Sequence, residues 1–217
     1  LDDVLKAPAS GYNYIDALLA PAPNWNYLTD DGVNFRTTLS FSFDTNGTQY
    51  EAGVQPFTEL QQLAVRQVLG YVHQVTGIRF SENPAGETAD IRFAMADLAN
   101  PELDGVCYAP YNYAALDDDT LLAYDSNTVV YLDTKQPANF DLQPGSWGYQ
   151  TLLHEVGHAL GLKHPSDSYP GAETTLDPLW QNNTEHTIMS YNQAGPYATS
   201  FAPLDLAALQ YLYGCDG

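Results

Sequence analysis

The sequence predicts an α+β domain in which a twisted, mixed β-sheet packs against helices. Strand-like and helix-like segments both occur, but they do not alternate strictly, which disfavours a doubly wound parallel fold. No internal repeat and no long linker divides the 217 residues, and their apolar content of 44% is ordinary for a globular protein. We therefore expect one folded domain over residues 1–217.

Several segments have the residue pattern of β-strands. The clearest is "TTLSFSF", where Leu39, Phe41 and Phe43 alternate with polar residues at the two-residue period of a half-buried strand. Shorter strands are predicted further along the chain, at residues 78–80, 90–95, 105–111 and 128–133. Of these, "GVCYAPY" at residues 105–111 is a candidate edge strand. Loops are predicted where Pro and Gly are frequent, at residues 20–34, 96–118 and 165–200.

A long amphipathic helix is predicted between Phe57 and Gly77. Its apolar residues recur at steps of three and four, and Thr58 and Gln61 have the spacing of a capping box. Gly77 ends this helix. Three further helices are predicted, one short and two longer, at residues 13–20, 147–162 and 203–213.

Charge and composition exclude several classes of partner. The chain has 27 acidic and 7 basic residues, a formal charge of −20, which repels nucleic-acid phosphates and anionic membrane surfaces. No run approaches the length of a membrane span, and the first residues lack the pattern of a secretory signal. Cys107 and Cys215 are too few for a disulfide scaffold, and they form one bridge or remain two thiols.

The segment "HEVGHALGLKHP" places His154, His158 and His164 beside Glu155. Residues four apart lie on one face of a helix, so the first two imidazoles can point at one ion. His164 can join them only if the chain turns back first, and Gly161 is placed for such a turn because glycine reaches positive φ without steric cost.

Three neutral imidazoles with an open fourth position are typical of catalytic zinc. In H-E-x-x-H sites the glutamate reaches a water on the zinc instead of the metal, so Glu155 is placed as a general base. Five prescribed residues match at this spacing, which chance yields in about one chain of this length in 10,000. We predict a zinc site here and regard His73 and His186 as bystanders.

The extended motif resembles that of the metzincin zinc peptidases, which also carry a methionine turn below the zinc. "TIMSY" supplies Met189, and Pro165 after the third histidine together with "MSY" looks like the serralysin family of secreted bacterial endopeptidases. The resemblance covers nearly the whole chain, from "YIDALL" to "PLDLAALQYLYG". It implies Met189 as a hydrophobic floor and Tyr191 as a catalytic phenol near the metal.

The resemblance also implies an architecture. It is a mostly parallel five-stranded sheet with an antiparallel edge strand, two long helices and a small C-terminal subdomain. An upper subdomain over about residues 1–164 and a lower one over about 165–217 enclose the cleft. An extended substrate would pair with the edge strand at Val106, Cys107 and Tyr108, and the loop over residues 166–186 would form one pocket wall.

The sequence therefore predicts a zinc-dependent endopeptidase that activates a zinc-bound water through Glu155, without a covalent intermediate. By resemblance we expect a secreted, extracellular monomer with protein or peptide substrates. The resemblance is also compatible with calcium as a second metal and with a proteinaceous inhibitor. Relatives of this kind continue into G-G-x-G-x-D repeats, which this sequence lacks. Other metzincin branches, a non-catalytic binding module and a calcium-loading module suggested by "LDDDTLLAYDSN" remain alternatives.

Overall fold

The computed structural model describes residues 7–21, 25, 38–47, 50–84, 86–116, 121–177 and 180–214. Its helices, in chain order, are α1 Asn13–Asp16, α2 Glu59–Thr76, α3 Trp147–Ala159 and α4 Pro203–Tyr213. Its strands are β1 Thr38–Ser42, β2 Ala52–Gln55, β3 Arg79–Glu82, β4 Ile91–Asp97, β5 Gly105–Tyr108, β6 Tyr111–Ala115, β7 Leu121–Ser126 and β8 Thr128–Asp133. Two 3-10 turns lie at Gly86–Thr88 and Pro137–Phe140. The predicted α+β class is confirmed.

The main sheet is mixed and has the order β3-β1-β4-β8-β5, with β2 paired to β4 beside this path. Strands β3, β1, β4 and β8 are parallel to their neighbours, and β5 runs antiparallel to β8 at one edge. The expected count of five strands is wrong, because β1 pairs only with Ile91 and Arg92 at the start of β4. Strand β1 does not cover the later part of this edge of β4, and β2 pairs antiparallel with Met95 and Asp97 there.

The predicted edge strand over residues 105–111 is interrupted. Strand β5 ends at Tyr108, and β6 begins at Tyr111. Strands β6 and β7 form a two-stranded antiparallel ribbon, in which Tyr111 pairs with Ser126. The loop predicted over residues 96–118 therefore contains two strands.

Helix α2 has the predicted ends. The backbone N–H of Thr58 donates to the Gln61 side chain at 2.8 Å, and the N–H of Gln61 donates back to the Thr58 hydroxyl at 3.3 Å. Gly77 stops the helix with φ 75°. Its buried apolar face packs on the sheet through Ala64, Val65, Val68, Leu69 and Val72.

The helices and one sheet face enclose the main core. Alternate residues of β4 divide the strand between two clusters: Phe93 joins the helices, whereas Ala94 joins a smaller cluster on the other face. Helix α3 is almost fully buried in the main core. Within the described part of the chain, no helix is long and apolar enough to cross a membrane. The division into subdomains near His164 stays a prediction.

Candidate metal centre and cleft

Helix α3 ends where the chain has to turn back to bring His164 toward the other two histidines. The helix was predicted to reach residue 162, but it stops at Ala159. Gly161 then takes φ 93°, and the N–H of Leu162 donates to the carbonyl of Gly157 at 3.0 Å. The next N–H, that of Lys163, donates to the Leu18 carbonyl at 2.8 Å, which ties the returning segment to the N-terminal part of the chain.

This turn brings the three histidines together. Their Nε2 atoms lie 3.1 Å apart for His154 and His158, 3.2 Å for His154 and His164, and 3.0 Å for His158 and His164. Each Nδ1 has its own partner on the outer side of the cluster. These partners are the carbonyls of Ile188 and Leu162, at 2.8 Å each, and the Asp167 carboxylate at 2.9 Å.

The three Nε2 atoms present lone pairs to one another. A carbonyl or carboxylate oxygen only accepts, so each Nδ1 must carry the proton of its hydrogen bond. Burial favours neutral rings: it lowers the pKa of His154 to about 4 and that of His158 well below its ordinary value. Three facing lone pairs repel unless a cation lies between them.

The donor set fits zinc. Tetrahedral nitrogen ligands at 2.0–2.1 Å from zinc lie about 3.3 Å apart, close to the observed separations. Among the described residues, one group of His, Cys, Asp or Glu side chains has its ligand atoms close enough together to hold a metal ion, and it consists of these three histidines. His73 bonds the Ile78 carbonyl and His186 lies against Trp180, so both stand outside the cluster as expected.

Glu155 lies beside the histidine cluster without being part of it. The residue is only 5% exposed, and its Oε2 atom has no hydrogen-bond partner among the described residues. Burial raises the pKa of this carboxyl to about 8. Glu155 also packs tightly against the start of β5, because a Cβ added to Gly105 would lie 2.9 Å from its Cγ. The carboxyl is thus held at the wall of the cleft with one oxygen unpartnered.

The edge strand offers alternate backbone groups to the cleft. The N–H of Asp133 donates to the Asp104 carbonyl, and the N–H of Asn127 donates to the Pro110 carbonyl. Along an antiparallel edge strand, successive residues direct their backbone N–H and C=O groups alternately toward the neighbouring strand and away from it. Residues 104, 106, 108 and 110 direct theirs toward β8 and the residue that precedes it. The backbone groups of Gly105, Cys107 and Ala109 therefore face outward, and all three residues line the cleft.

This alternation separates the three residues predicted to contact substrate. Cys107 turns its backbone to the cleft and its side chain to the main core. Val106 and Tyr108 bond β8 through their backbones and pack their side chains on the opposite sheet face. Val106 still borders the cleft, whereas the Tyr108 hydroxyl donates to Glu51 at 2.6 Å, away from the histidines.

Met189 lies directly beneath α3. The side chain is fully buried, and a Cβ added to Gly157 would lie 2.6 Å from its sulfur atom. Glycine at position 157, between the two helical histidines, therefore leaves the space that the sulfur atom occupies.

Asp205 of α4 holds the turn that carries Met189. Its carboxylate accepts from the Thr187 hydroxyl at 2.6 Å and from the N–H groups of Ile188 and Ala202 at 2.9 Å each. Asp205 is fully buried. The carbonyl of Ile188 in turn bonds His154, so α4 contributes to the position of the cluster.

Tyr191 lies over His164 at the mouth of the cleft. The two ring centroids are 4.4 Å apart, and the Tyr191 hydroxyl lies 3.4 Å from Nδ1 of His164. The hydroxyl is thus near the outer nitrogen of the imidazole instead of the Nε2 atoms. Tyr191 is 68% exposed, and burial of its hydroxyl together with nearby Asp167 and Glu155 raises its pKa to about 12.

Sequence comparisons point to one group of proteins. The chain is 27% identical over 220 residues to metalloprotease AprA of Pseudomonas entomophila, covering 92% of this chain and 43% of that protein. It is 28% identical over 176 residues to serralysin of Proteus mirabilis, covering 74% and 35%, and 30% identical over 214 residues to serralysin G of Dickeya chrysanthemi, covering 88% and 42%. The resemblance to serralysins is confirmed. The chain spans less than half the length of these relatives.

Comparisons of this serralysin-like chain with family profiles and solved structures give weaker matches or none. No protein-family profile matches it. Among solved structures, myroilysin is 14% identical with a TM-score of 0.44, covering 83% of this chain and 94% of that one. High choriolytic enzyme 1, a hatching enzyme zinc-protease from Oryzias latipes, is 13% identical with a TM-score of 0.40, covering 82% and 90%.

The structure adds two polar residues to the site that the sequence reasoning missed. Asp167 accepts from Nδ1 of His164, and its position three residues after that histidine is a signal the sequence carried. Lys163 is 3% exposed and donates from Nζ to the carbonyls of Asp167 at 2.6 Å and Thr174 at 2.9 Å. Lys163 thus fixes the segment that carries Asp167.

Two predictions fall partly outside the described residues. Cys107 has no disulfide partner among the described residues, and Cys215 lies outside them, so the pairing stays open to a chemical test. The acidic stretch "LDDDTLLAYDSN" includes residues 117–120, which are also not described. Calcium binding stays a prediction.

Proposed function

We propose that the chain is the catalytic domain of a zinc-dependent endopeptidase that hydrolyses internal peptide bonds. One observation carries this proposal: three imidazole Nε2 atoms converge within 3.2 Å of one another, beside a buried carboxylate that has an unpartnered oxygen. The names of the relatives, metalloprotease AprA and serralysin, support it.

His154, His158 and His164 would hold the ion through Nε2. A zinc ion bound there would lower the pKa of a water molecule and polarise the carbonyl of the substrate. The outer partners of the three rings keep the Nδ1 atoms protonated and the Nε2 lone pairs directed inward. Of these partners, Asp167 is the only carboxylate, and its hydrogen bond orients the His164 ring.

Glu155 would act as the general base. Its unpartnered Oε2 can accept the proton of the attacking water, and the carboxyl can then pass that proton to the leaving amine. Cys107 is a poor nucleophile for a covalent intermediate, because burial and nearby Glu155 raise the pKa of its thiol well above the ordinary value. Water is then the attacking group.

The substrate would add to β5 as an extended strand. The outward N–H and C=O groups of Gly105, Cys107 and Ala109 are the backbone partners for such a strand. They border a cleft of about 570 Å³ that also contains the histidines and Glu155. Backbone recognition of this kind suits polypeptides of many sequences, provided that they are unfolded locally.

Tyr191 would stabilise the oxyanion that develops on the substrate carbonyl. With a pKa of about 12, its hydroxyl stays protonated at neutral pH and can donate. It is an exposed group at the mouth of the cleft, next to His164. A rotation of its side chain would carry the hydroxyl from the outer edge of that ring toward the bound substrate.

We further propose that this domain works outside the cell as a monomer, with an upper part through about residue 164 and a lower part after it. The formal charge of −20 supports the monomer, because it opposes close self-association. A bound proteinaceous inhibitor and a calcium requirement belong to the same proposal through the serralysin resemblance.

Cleavage of unfolded casein tests the proposed activity. The purified chain is assayed as prepared, after removal of metal with a chelator, and after zinc is added back, with circular dichroism to verify folding in each sample. We expect cleavage that the chelator abolishes and zinc restores. A folded, zinc-loaded chain that leaves casein intact would contradict the proposal and favour a binding module.

A further inference from the structure

We propose that the cleft selects substrates with a lysine or arginine two or three residues after the cleaved bond. This inference rests on the proposed endopeptidase function and names the class of substrate that its site prefers. It is carried by the charges that line the cleft, by the position of Glu155 against β5, and by the direction in which a strand adds to that edge.

The cleft is lined by acidic side chains and has one basic residue. Its carboxylates belong to Glu102, Asp104, Glu155 and Asp167, and its only Lys or Arg among the described residues is Lys163. The ammonium group of Lys163 is buried and donates to two backbone carbonyls. It is therefore directed away from a ligand.

Two of these carboxylates lie where a substrate can reach them. Glu102 is exposed at the rim of the cleft. Asp104 accepts from the indole N–H of Trp147 at 2.6 Å and from the Gln136 amide at 2.8 Å. Both donors are neutral, so they orient the Asp104 carboxylate without neutralising it.

The reacting bond is placed next to these two residues. Glu155, buried with its Oε2 unpartnered, packs against Gly105, the first residue of β5. Asp104 directly precedes this strand, and Glu102 lies two residues before Asp104. A substrate peptide bond within reach of Glu155 would therefore lie only a few residues from both carboxylates.

The direction of the substrate decides which of its residues meet them. Antiparallel pairing is the more stable arrangement per residue, and β5 leaves one edge open to it. An antiparallel substrate runs from Ala109 toward Gly105, so the residues after the cleaved bond continue toward Asp104 and Glu102. A lysine or arginine there gains attraction, and a glutamate is repelled.

The test compares kcat/KM for peptides that differ only at the second and third positions after the cleaved bond. Lysine, glutamine or glutamate is placed there, and mass spectrometry of the products verifies the bond that is cut. We expect lysine peptides to exceed glutamate peptides about three- to tenfold at low salt. The ratio should fall toward one in about 1 M salt, where the Debye length is about 3 Å.

Substitutions assign the preference to the named side chains. Glu102→Gln should reduce the lysine-to-glutamate ratio, and Glu102→Lys should reduce it further or invert it. Glu59→Gln removes one exposed acid from α2, outside the cleft, and should leave the ratio unchanged.

The outcomes separate this inference from the proposed function. Cleavage of all three peptides at equal rates, or a lysine preference that Glu102→Lys does not alter, would overturn the inference and leave the peptidase proposal standing. Failure of a zinc-loaded, folded chain to cleave any of them, or casein, would overturn the proposed function.

Discussion

Replacing Gly105 with alanine should disable the site without removing the metal. The added Cβ would lie 2.9 Å from both Cγ of Glu155 and Cγ2 of Thr151. Carbon atoms prefer separations of about 3.5–4.0 Å, so the overlap is about 0.6–1.1 Å. Either β5 or Glu155 must move by that distance, at an expected cost of about 1–3 kcal/mol in stability. A shift of about 1 Å in a catalytic group lowers turnover about 100-fold.

The assay measures kcat and KM on a fluorogenic peptide, zinc content and the thermal midpoint for Gly105→Ala. The matched control is Gly70→Ala on α2, where an added Cβ meets nothing within 4 Å. Because alanine is the better helix former, this control should be stabilised by about 1 kcal/mol and retain its activity. A Gly105→Ala chain with wild-type kcat would refute the proposed contact between β5 and Glu155.

Three further substitutions test other parts of the site. Asp167→Asn should weaken zinc affinity about 10- to 100-fold, measured by competition with a chromophoric chelator, whereas Glu185→Gln should not; equal affinities would contradict the orienting role of Asp167. Tyr191→Phe should lower kcat about 100-fold with zinc content unchanged, and an unaltered kcat would exclude the oxyanion role. Burial raises the pKa of Asp205 from 3.8 to about 6, so the folded state binds its proton more tightly than the unfolded chain does. The stability that Asp205 contributes should therefore be greatest below about pH 4 and fall by about 3 kcal/mol as the pH rises to about 7. The difference in unfolding free energy between wild type and Asp205→Asn, from urea denaturation at both pH values, should shrink by that amount, and a constant difference would contradict the shift.

Local signals in the sequence predicted the elements that local interactions define. Thr58, Gln61 and Gly77 fix the ends of α2 through bonds within a few residues of one another, and these are the ends observed. Likewise, strand β8 has the predicted bounds. The grouping of the histidines follows from their spacing and from the turn at Gly161.

Contacts between distant segments were not predictable in this way. Strand β2 is mostly exposed and lacks an apolar alternation, and it forms because β1 leaves the end of β4 unpaired. The packing of Gly105 on Glu155 joins residues that are far apart in the chain. The orientation of the Tyr191 hydroxyl depends on how its turn packs beside His164, and no periodicity encodes that.

The most direct test of the central claim is the comparison of wild type with Glu155→Gln, measuring bound zinc and casein cleavage on the same preparations. The substitution leaves His154, His158 and His164 untouched, so we expect stoichiometric zinc in both chains. We also expect cleavage reduced by about 10²- to 10⁴-fold in the variant, because the general base is lost. A variant that binds zinc and cleaves casein at the wild-type rate would contradict the account.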